Sequence, residues 1–145
     1  MKNSNEIEIA QKLIRCRSIA PNAGSALKIV EKECKKIGFK STKLRFSEKG
    51  YSPISNLYAE IGNGKPHFSF AGHVDVVPAD KKEWKIDPFA GKIKNNFLIG
   101  RGAVDMKSAV ACFISATKSF LDENKDFKGK ISMMITGDEE TYAIN

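Results

Sequence analysis

The sequence predicts an α/β fold, an αβα sandwich built around a mixed sheet. Apolar residues recur at helical spacing in some segments and alternate with polar residues at strand spacing in others. The predicted order is helix, helix, strands, helix, strand. Strands that alternate with helices are typical of a sheet covered by helices, with functional sites beyond the carboxyl ends of the strands.

Two amphipathic helices are predicted at the start of the chain. Asn3 and Glu6 have the spacing of a capping box at the start of the first helix. The apolar stripe of this helix consists of Ile7, Ala10, Leu13 and Ile14, and that of the second helix of Ala26, Leu27, Val30, Cys34 and Ile37. Ser25 stands where the second helix needs a cap, and Gly38 where a left-handed residue ends it. Residues 21–24 form the turn between the two helices.

Alternating patterns predict strands from Lys40 onward. In the first two strands the residues that alternate with polar neighbours are Thr42, Leu44 and Phe46, and then Leu57, Ala59 and Ile61. Residues 67–77 are expected to form a third, buried strand that Pro78 ends, because proline has no N–H to donate. Asn95 and Asn96 indicate a tight hairpin turn, since asparagine tolerates positive φ.

A long helix and a last strand complete the predicted order. The helix has one apolar face, formed by Met106, Val110, Phe113, Ile114, Thr117 and Leu121. The strand covers residues 131–135, between Gly129 and Gly137. The chain has 145 residues, of which 41% are hydrophobic and 28% charged, and this composition suits one globular domain.

Charge, cysteine content and hydropathy limit the function classes. The net charge of +7 allows a nucleic-acid binder, but the lysines are scattered and no aromatic residues alternate with them, so we expect a solvated basic surface and no nucleic-acid partner. Three widely spaced cysteines argue against disulfides and against a thiolate zinc site; we expect them to be small core residues. No segment has the apolar length of a membrane span or a signal peptide, which makes a cytoplasmic protein without a membrane partner the default expectation.

Three segments place acids and histidine directly after predicted strands: residues 73–75, 100–105 and 137–140. Because side chains alternate along an extended backbone, His73 and Asp75 project to the same side. This arrangement suits a metal-ligating imidazole whose orientation is fixed by a carboxylate. The alternative for this pair alone is a hydrogen-bonded core histidine next to a strand-end cap.

The adjacent acids Glu139 and Glu140 follow an apolar strand and a glycine, where two like charges are costly unless a cation neutralises one of them. One glutamate can then bind metal while the other acts as a general base. Two solvated loop acids are the alternative. Asp105 follows Gly100 and Gly102, which allow a sharp turn, and we expect it to bridge two metal ions. A phosphate loop is disfavoured here because Asp replaces the third glycine.

Imidazole and carboxylates without thiolates fit a catalytic zinc site, which cobalt or manganese could also occupy. Several ordered blocks of the chain also resemble the M20 metallopeptidase family. These blocks are residues 21–24, 54–59, 70–78, Trp84 with 87–89, 100–107, 138–140 and 143–145. The resemblance implies a zinc-exopeptidase-like catalytic domain with two zinc ions. It further implies that His73 and Glu140 are zinc ligands, Asp105 bridges the zincs, Asp75 orients His73, and Glu139 is the general base.

The implied reaction is hydrolysis of N-succinyl-LL-2,6-diaminopimelate to succinate and LL-diaminopimelate, a step in lysine and diaminopimelate biosynthesis, by a homodimeric enzyme. An acetylornithine deacetylase, an aminoacylase or a dipeptidase of the same family is the alternative. Ser108 and Thr141 stand where the family commonly has glycine, and Val74 replaces a usual threonine.

Members of the M20 family continue beyond the equivalent of residue 145. Residues 1–145 are therefore expected to be the N-terminal segment of the catalytic domain, without the remaining ligands and the dimerisation domain. We expect the isolated chain to bind metal weakly and to lack useful turnover. A catalytically dead fragment that binds metal or a partner is the hypothesis from a different class.

Overall fold

The computed structural model describes residues 4–143, and its elements follow the predicted order. The helices are α1 (Asn5–Arg15), α2 (Gly24–Lys36) and α3 (Ser108–Glu123). The strands are β1 (Lys40–Phe46), β2 (Ile54–Asn63), β3 (His67–His73), β4 (Lys92–Lys94), β5 (Phe97–Ile99) and β6 (Gly129–Thr136). No helix in this part of the chain is long and apolar enough to cross a membrane.

The main sheet has the strand order β1-β2-β6-β3. The β1–β2 and β2–β6 pairs are antiparallel, whereas β3 and β6 are parallel, so the predicted mixed sheet is confirmed. His73 pairs with Thr136 where β3 and β6 end. Because parallel strands end at the same edge, the segments that follow both strands emerge side by side.

The three helices pack on one face of this sheet. Alternate strand residues, among them Leu57, Met133 and Ile135, join the apolar faces of α1, α2 and α3 in one buried cluster. The opposite face carries side chains such as Phe46 and Met134, which are partly exposed within the described residues. The mixed α/β class is therefore confirmed. Within residues 4–143, the three helices form one layer on one face of the sheet.

The third strand differs from its prediction. It ends at His73 rather than continuing to residue 77, and its first residues are exposed, with Phe68 at 65% exposure. The reason is topological, because within the described residues β3 pairs only with β6. Val74 and Val76 leave the sheet but are buried, and Val76 forms a bridge with Ile19.

Of the two predicted helix caps, the one at Asn3 is untested and the one at Ser25 is wrong. Asn3 of the capping box lies outside the described residues, and α1 has Ser4 at its N-cap position. Ser25 lies inside α2 rather than capping it, since the N-cap is Ala23. The Oγ atom of Ser25 lies 3.0 Å from the Sγ atom of Cys16 instead.

Other local predictions can be compared directly. Gly38 has the left-handed φ of 98° expected after α2, and Asn95 and Asn96 have φ of 50° and 64° in the β4–β5 turn. Met106 was expected on the long helix but lies before it, in a turn with non-helical backbone angles. Cys34 is buried as predicted and Cys16 is half-buried, whereas the prediction was wrong for Cys112, which is exposed.

Candidate metal centre

His73 is the last residue of β3, and its side chain is only 5% exposed. Nδ1 donates to the backbone oxygen of Asp75 at 3.1 Å and lies 3.5 Å from Oδ1 of the same residue. On the other side of the ring, Nε2 lies 3.0 Å from Oδ1 of Asp105. The predicted His73–Asp75 pair is thus in contact, and Asp105 is brought to the free nitrogen of the ring.

These carboxylates change the pKa of His73. Asp75 is the largest influence, Asp105 adds to it, and together they outweigh burial and raise the pKa of His73 to about 9. In the metal-free chain, the imidazole is therefore a cation at neutral pH. A metal ion that binds Nε2 must displace this proton.

Asp75 contacts a second part of the site. Its Oδ2 accepts a hydrogen bond from the backbone N–H of Glu140 at 2.8 Å. Burial alone would raise the pKa of Asp75, but the neighbouring His73 imidazole and the backbone N–H groups of Glu140 and Glu139 hold that pKa below its usual range. Asp75 thereby connects the end of β3 to the acidic segment after β6, a link that the sequence did not indicate.

Asp105 lies in the turn that precedes α3. Gly102 has a φ of 78°, a left-handed conformation that favours glycine, and the N–H of Lys107 closes the turn on the Gly102 oxygen at 2.9 Å. The side chain of Asp105 is 73% exposed and points to His73. The Asp105 carboxylate therefore faces His73 and is open to solvent.

Glu139 and Glu140 complete the cluster from the end of β6. Oε2 of Glu139 lies 3.7 Å from Nε2 of His73, and its side chain is largely exposed. Burial raises the pKa of Glu140, and the nearby charges of Asp105 and Glu139 add to this increase. One ligand atom each from His73, Asp105 and Glu140 lie within 4.8 Å of one another.

The acidic segment is also held by Asn56 of β2, which the reasoning from single residues had missed. Its Oδ1 accepts hydrogen bonds from Oγ1 of Thr136 at 3.0 Å and from the N–H of Gly137 at 3.2 Å. A side chain at Gly137 would come within 2.8 Å of the Cβ of Ala23 and of a backbone oxygen. Asn56 belongs to residues 54–59, one of the blocks that resemble the M20 family.

The donor set fits a divalent metal ion. It combines one imidazole with two carboxylates and has no thiolate, as catalytic zinc sites do. A bound cation would offset both the burial that raises the pKa of Glu140 and the neighbouring charges of Asp105 and Glu139 that add to this increase. The structure brings the three segments together, and the candidate site residues all lie in one cluster: His73, Asp75, Asp105, Glu139 and Glu140.

The family model for peptidase family M20/M25/M40 matches residues 69–144, just over half of the chain and all five site residues. The chain belongs to this family. The resemblance to M20 metallopeptidases seen in the sequence is thus confirmed.

Curated relatives are closely similar to the chain in sequence. A succinyl-diaminopimelate desuccinylase of Parvibaculum lavamentivorans is 51% identical over 140 residues, which cover 96% of this chain and 35% of the relative. The enzyme of the same name from Pelagibacter ubique is 49% identical and covers 100% of this chain and 38% of its own length. The chain thus spans little more than a third of these relatives.

Solved structures give the same fold. Human carnosine dipeptidase 1 matches with a TM-score of 0.86 at 22% identity, covering 96% of this chain and 33% of that protein. An M20 family metallo-carboxypeptidase from Sulfolobus solfataricus matches with a TM-score of 0.79 at 26% identity, covering 93% and 31%. The M20 peptidases depend on metal, and the candidate ligands described above fit that dependence.

Proposed function

We propose that residues 1–145 form the N-terminal segment of the catalytic domain of a zinc-dependent amide hydrolase. Its proposed reaction is the hydrolysis of N-succinyl-LL-2,6-diaminopimelate to succinate and LL-diaminopimelate, which belongs to lysine and diaminopimelate biosynthesis. The names of the curated relatives support this substrate. The observation that carries the proposal is the convergence of His73, Asp105 and Glu140 ligand atoms within 4.8 Å.

Each residue of the site has a proposed role. His73 and Glu140 would each hold one of two zinc ions, and Asp105 would be shared between them. Asp75 is the proposed orienting residue, because its backbone oxygen accepts from Nδ1, its carboxylate lies 3.5 Å from the same nitrogen, and Nε2 is left directed at the ligand cluster. Bound zinc would act as a Lewis acid on the amide carbonyl and make water a better nucleophile at neutral pH.

Glu139 is the proposed general base. It is next to Glu140, its carboxylate is largely exposed, and it lies 3.7 Å from His73 Nε2, so it borders the ligand cluster without being enclosed in it. From this position, Glu139 would take a proton from the attacking water and deliver it to the leaving nitrogen. An enclosed carboxylate would lack the freedom to reach both groups.

The number of ligands determines what the chain can do alone. Even one catalytic zinc commonly takes three protein ligands, and two zinc ions need more than three between them. We therefore expect weak metal binding and no useful turnover from residues 1–145 alone. Cobalt or manganese could occupy the same oxygen and nitrogen donors. The proposed longer enzyme is a cytoplasmic homodimer that has no nucleic-acid or membrane partner.

The metal site can be tested with the two histidines of the chain. His67 and His73 lie at opposite ends of β3, which makes His67→Ala a control of the same residue type on the same strand. His73→Ala should abolish measurable zinc binding in calorimetry, whereas His67→Ala should leave it within about threefold, since only His73 is in the ligand cluster. If the His73→Ala variant bound zinc as tightly as the unmodified chain, the proposed metal site would be wrong.

The substrate needs the longer protein that contains this segment. Initial rates should be compared on N-succinyl-diaminopimelate, N-acetylornithine and a dipeptide at equal concentration. The proposal expects the succinylated substrate to be hydrolysed fastest. Faster cleavage of acetylornithine or of the dipeptide would replace the proposed substrate, and no cleavage of any of them would favour a metal-binding protein without this activity.

A further inference from the structure

Lys107 is a fully buried lysine that the proposed reaction does not use. Burial of an ammonium group is costly unless it is hydrogen-bonded, so its position needs a physical explanation. Lys107 follows Asp105 by two residues and directly precedes α3. It is therefore placed where it could control the position of the exposed ligand.

The ammonium group of Lys107 binds the end of α1. Nζ donates to the backbone oxygens of Leu13 and Cys16, each at 2.9 Å. The last carbonyls of a helix lack partners within the helix and carry partial negative charge, so they stabilise a cation. Lys107 thus attaches the turn before α3 to the first helix of the chain.

The aliphatic part of the Lys107 side chain, its stem, packs against the same turn. A Cβ at Gly102 would lie 3.1 Å from Cδ of Lys107 and 2.7 Å from Cγ1 of Val76, so the glycine allows both side chains to approach. Val76 directly follows Asp75 in the chain. The stem of Lys107 therefore packs where the Asp105 turn meets the segment that follows His73.

Asp105 has little support of its own, since its side chain is 73% exposed and its hydrogen bond goes to His73. Its position depends on the backbone between Gly102 and Lys107. We propose that Lys107 is a positioning residue, which anchors this turn to α1 and thereby holds the Asp105 carboxylate at the distance from His73 that shared metal binding requires. This inference rests on the proposed metal site.

The variant Lys107→Met keeps most of the stem and removes the anchor. The two carbonyls also accept other hydrogen bonds, from the N–H of Cys16 to Leu13 and from the N–H of Ser18 to Cys16. The variant therefore leaves no carbonyl of this pair without a partner. We expect it to fold, and Lys107→Gln, which retains a neutral donor, is a second variant to be judged by the same measurements.

The first measurement is cobalt(II) affinity, followed by the absorption of the bound ion. Lys107→Met should weaken binding by about 10- to 100-fold, as expected when a residue that supports a ligand is lost. Val30→Ala, a buried truncation in α2, is the control for general destabilisation, with both thermal midpoints measured. An affinity loss no larger than that of Val30→Ala would overturn the inference.

The second measurement uses the metal-free chain, so it is independent of the proposed function. The Nε2–H of His73 donates to Asp105, and its NMR signal reports that contact. Lys107→Met and Asp105→Asn should shift this signal in the same direction, while the His67 signals stay in place. An unchanged His73 signal in Lys107→Met would overturn the inference, whereas absence of cobalt binding to the unmodified chain would contradict the metal site alone.

Discussion

The affinity of the chain for metal should depend steeply on pH because of the protonation of His73. Contacts with Asp75 first and Asp105 second raise the pKa of His73 to about 9. A metal ion and a proton compete for the same nitrogen, Nε2. Below the raised pKa the imidazole holds its proton, so metal binding must release it, and affinity increases as pH increases.

The size of the effect follows from the pKa. With a pKa of about 9, displacement of one proton makes the affinity increase by about 90-fold between pH 6 and pH 8. With an unperturbed pKa of about 6.5, the increase over the same range is only about fourfold. At pH 7, the number of protons released per ion is about one in the first case and about a quarter in the second.

Calorimetry of cobalt(II) binding measures both quantities. Titrations at pH 7 in buffers with different ionisation enthalpies give the number of protons released, and titrations from pH 6 to pH 8 give the slope. Asp75→Asn removes the largest cause of the raised pKa and should flatten the slope, whereas Glu139→Gln should retain it. If the unmodified chain released only about a quarter of a proton per ion, His73 would not be protonated at pH 7 before metal binds, and the reasoning would be refuted.

Two further variants test the general base and the core. In the longer protein, Glu139→Gln should lower kcat by about 10²- to 10⁴-fold. Metal affinity should stay within about threefold, because the base is outside the ligand cluster. If the variant lost both turnover and metal binding, Glu139 would instead be a ligand. Leu57→Ala, at a fully buried position in β2, should reduce the free energy of unfolding by about 2–5 kcal/mol in urea titrations. A loss below about 1 kcal/mol would mean that the sheet is not packed as described.

The predictions from sequence succeeded where local chemistry decides the structure. The turn at Asn95 and Asn96 follows from the tolerance of asparagine for positive φ, and the apolar stripes of α1 and α2 follow from the period of 3.6 residues. The three site segments were identified because each places acids or histidine directly after a predicted strand. Their residues do lie together, as shown by the contacts of His73 with Asp105 and Glu139.

The predictions failed where distant partners decide the structure. The exposure of β3 depends on which strands pair with it, and a run of apolar residues does not contain that information. The same holds for Lys107, whose partners Leu13 and Cys16 are more than 90 residues away in sequence. A lysine in a turn would ordinarily be solvated, so only its tertiary contacts distinguish it.

The arrangement of the site also explains why so exposed a set of acids can be ordered. Asp105 and Glu139 are largely exposed, and their own contacts are few. Buried polar groups hold the segments that carry them: Asn56 binds the backbone before Glu139, Asp75 binds the backbone of Glu140, and Lys107 attaches the Asp105 turn to α1. Each of these groups forms at least one hydrogen bond with backbone atoms. The ligand carboxylates can therefore remain accessible to metal and substrate, because buried groups beneath them hold the backbone that carries them.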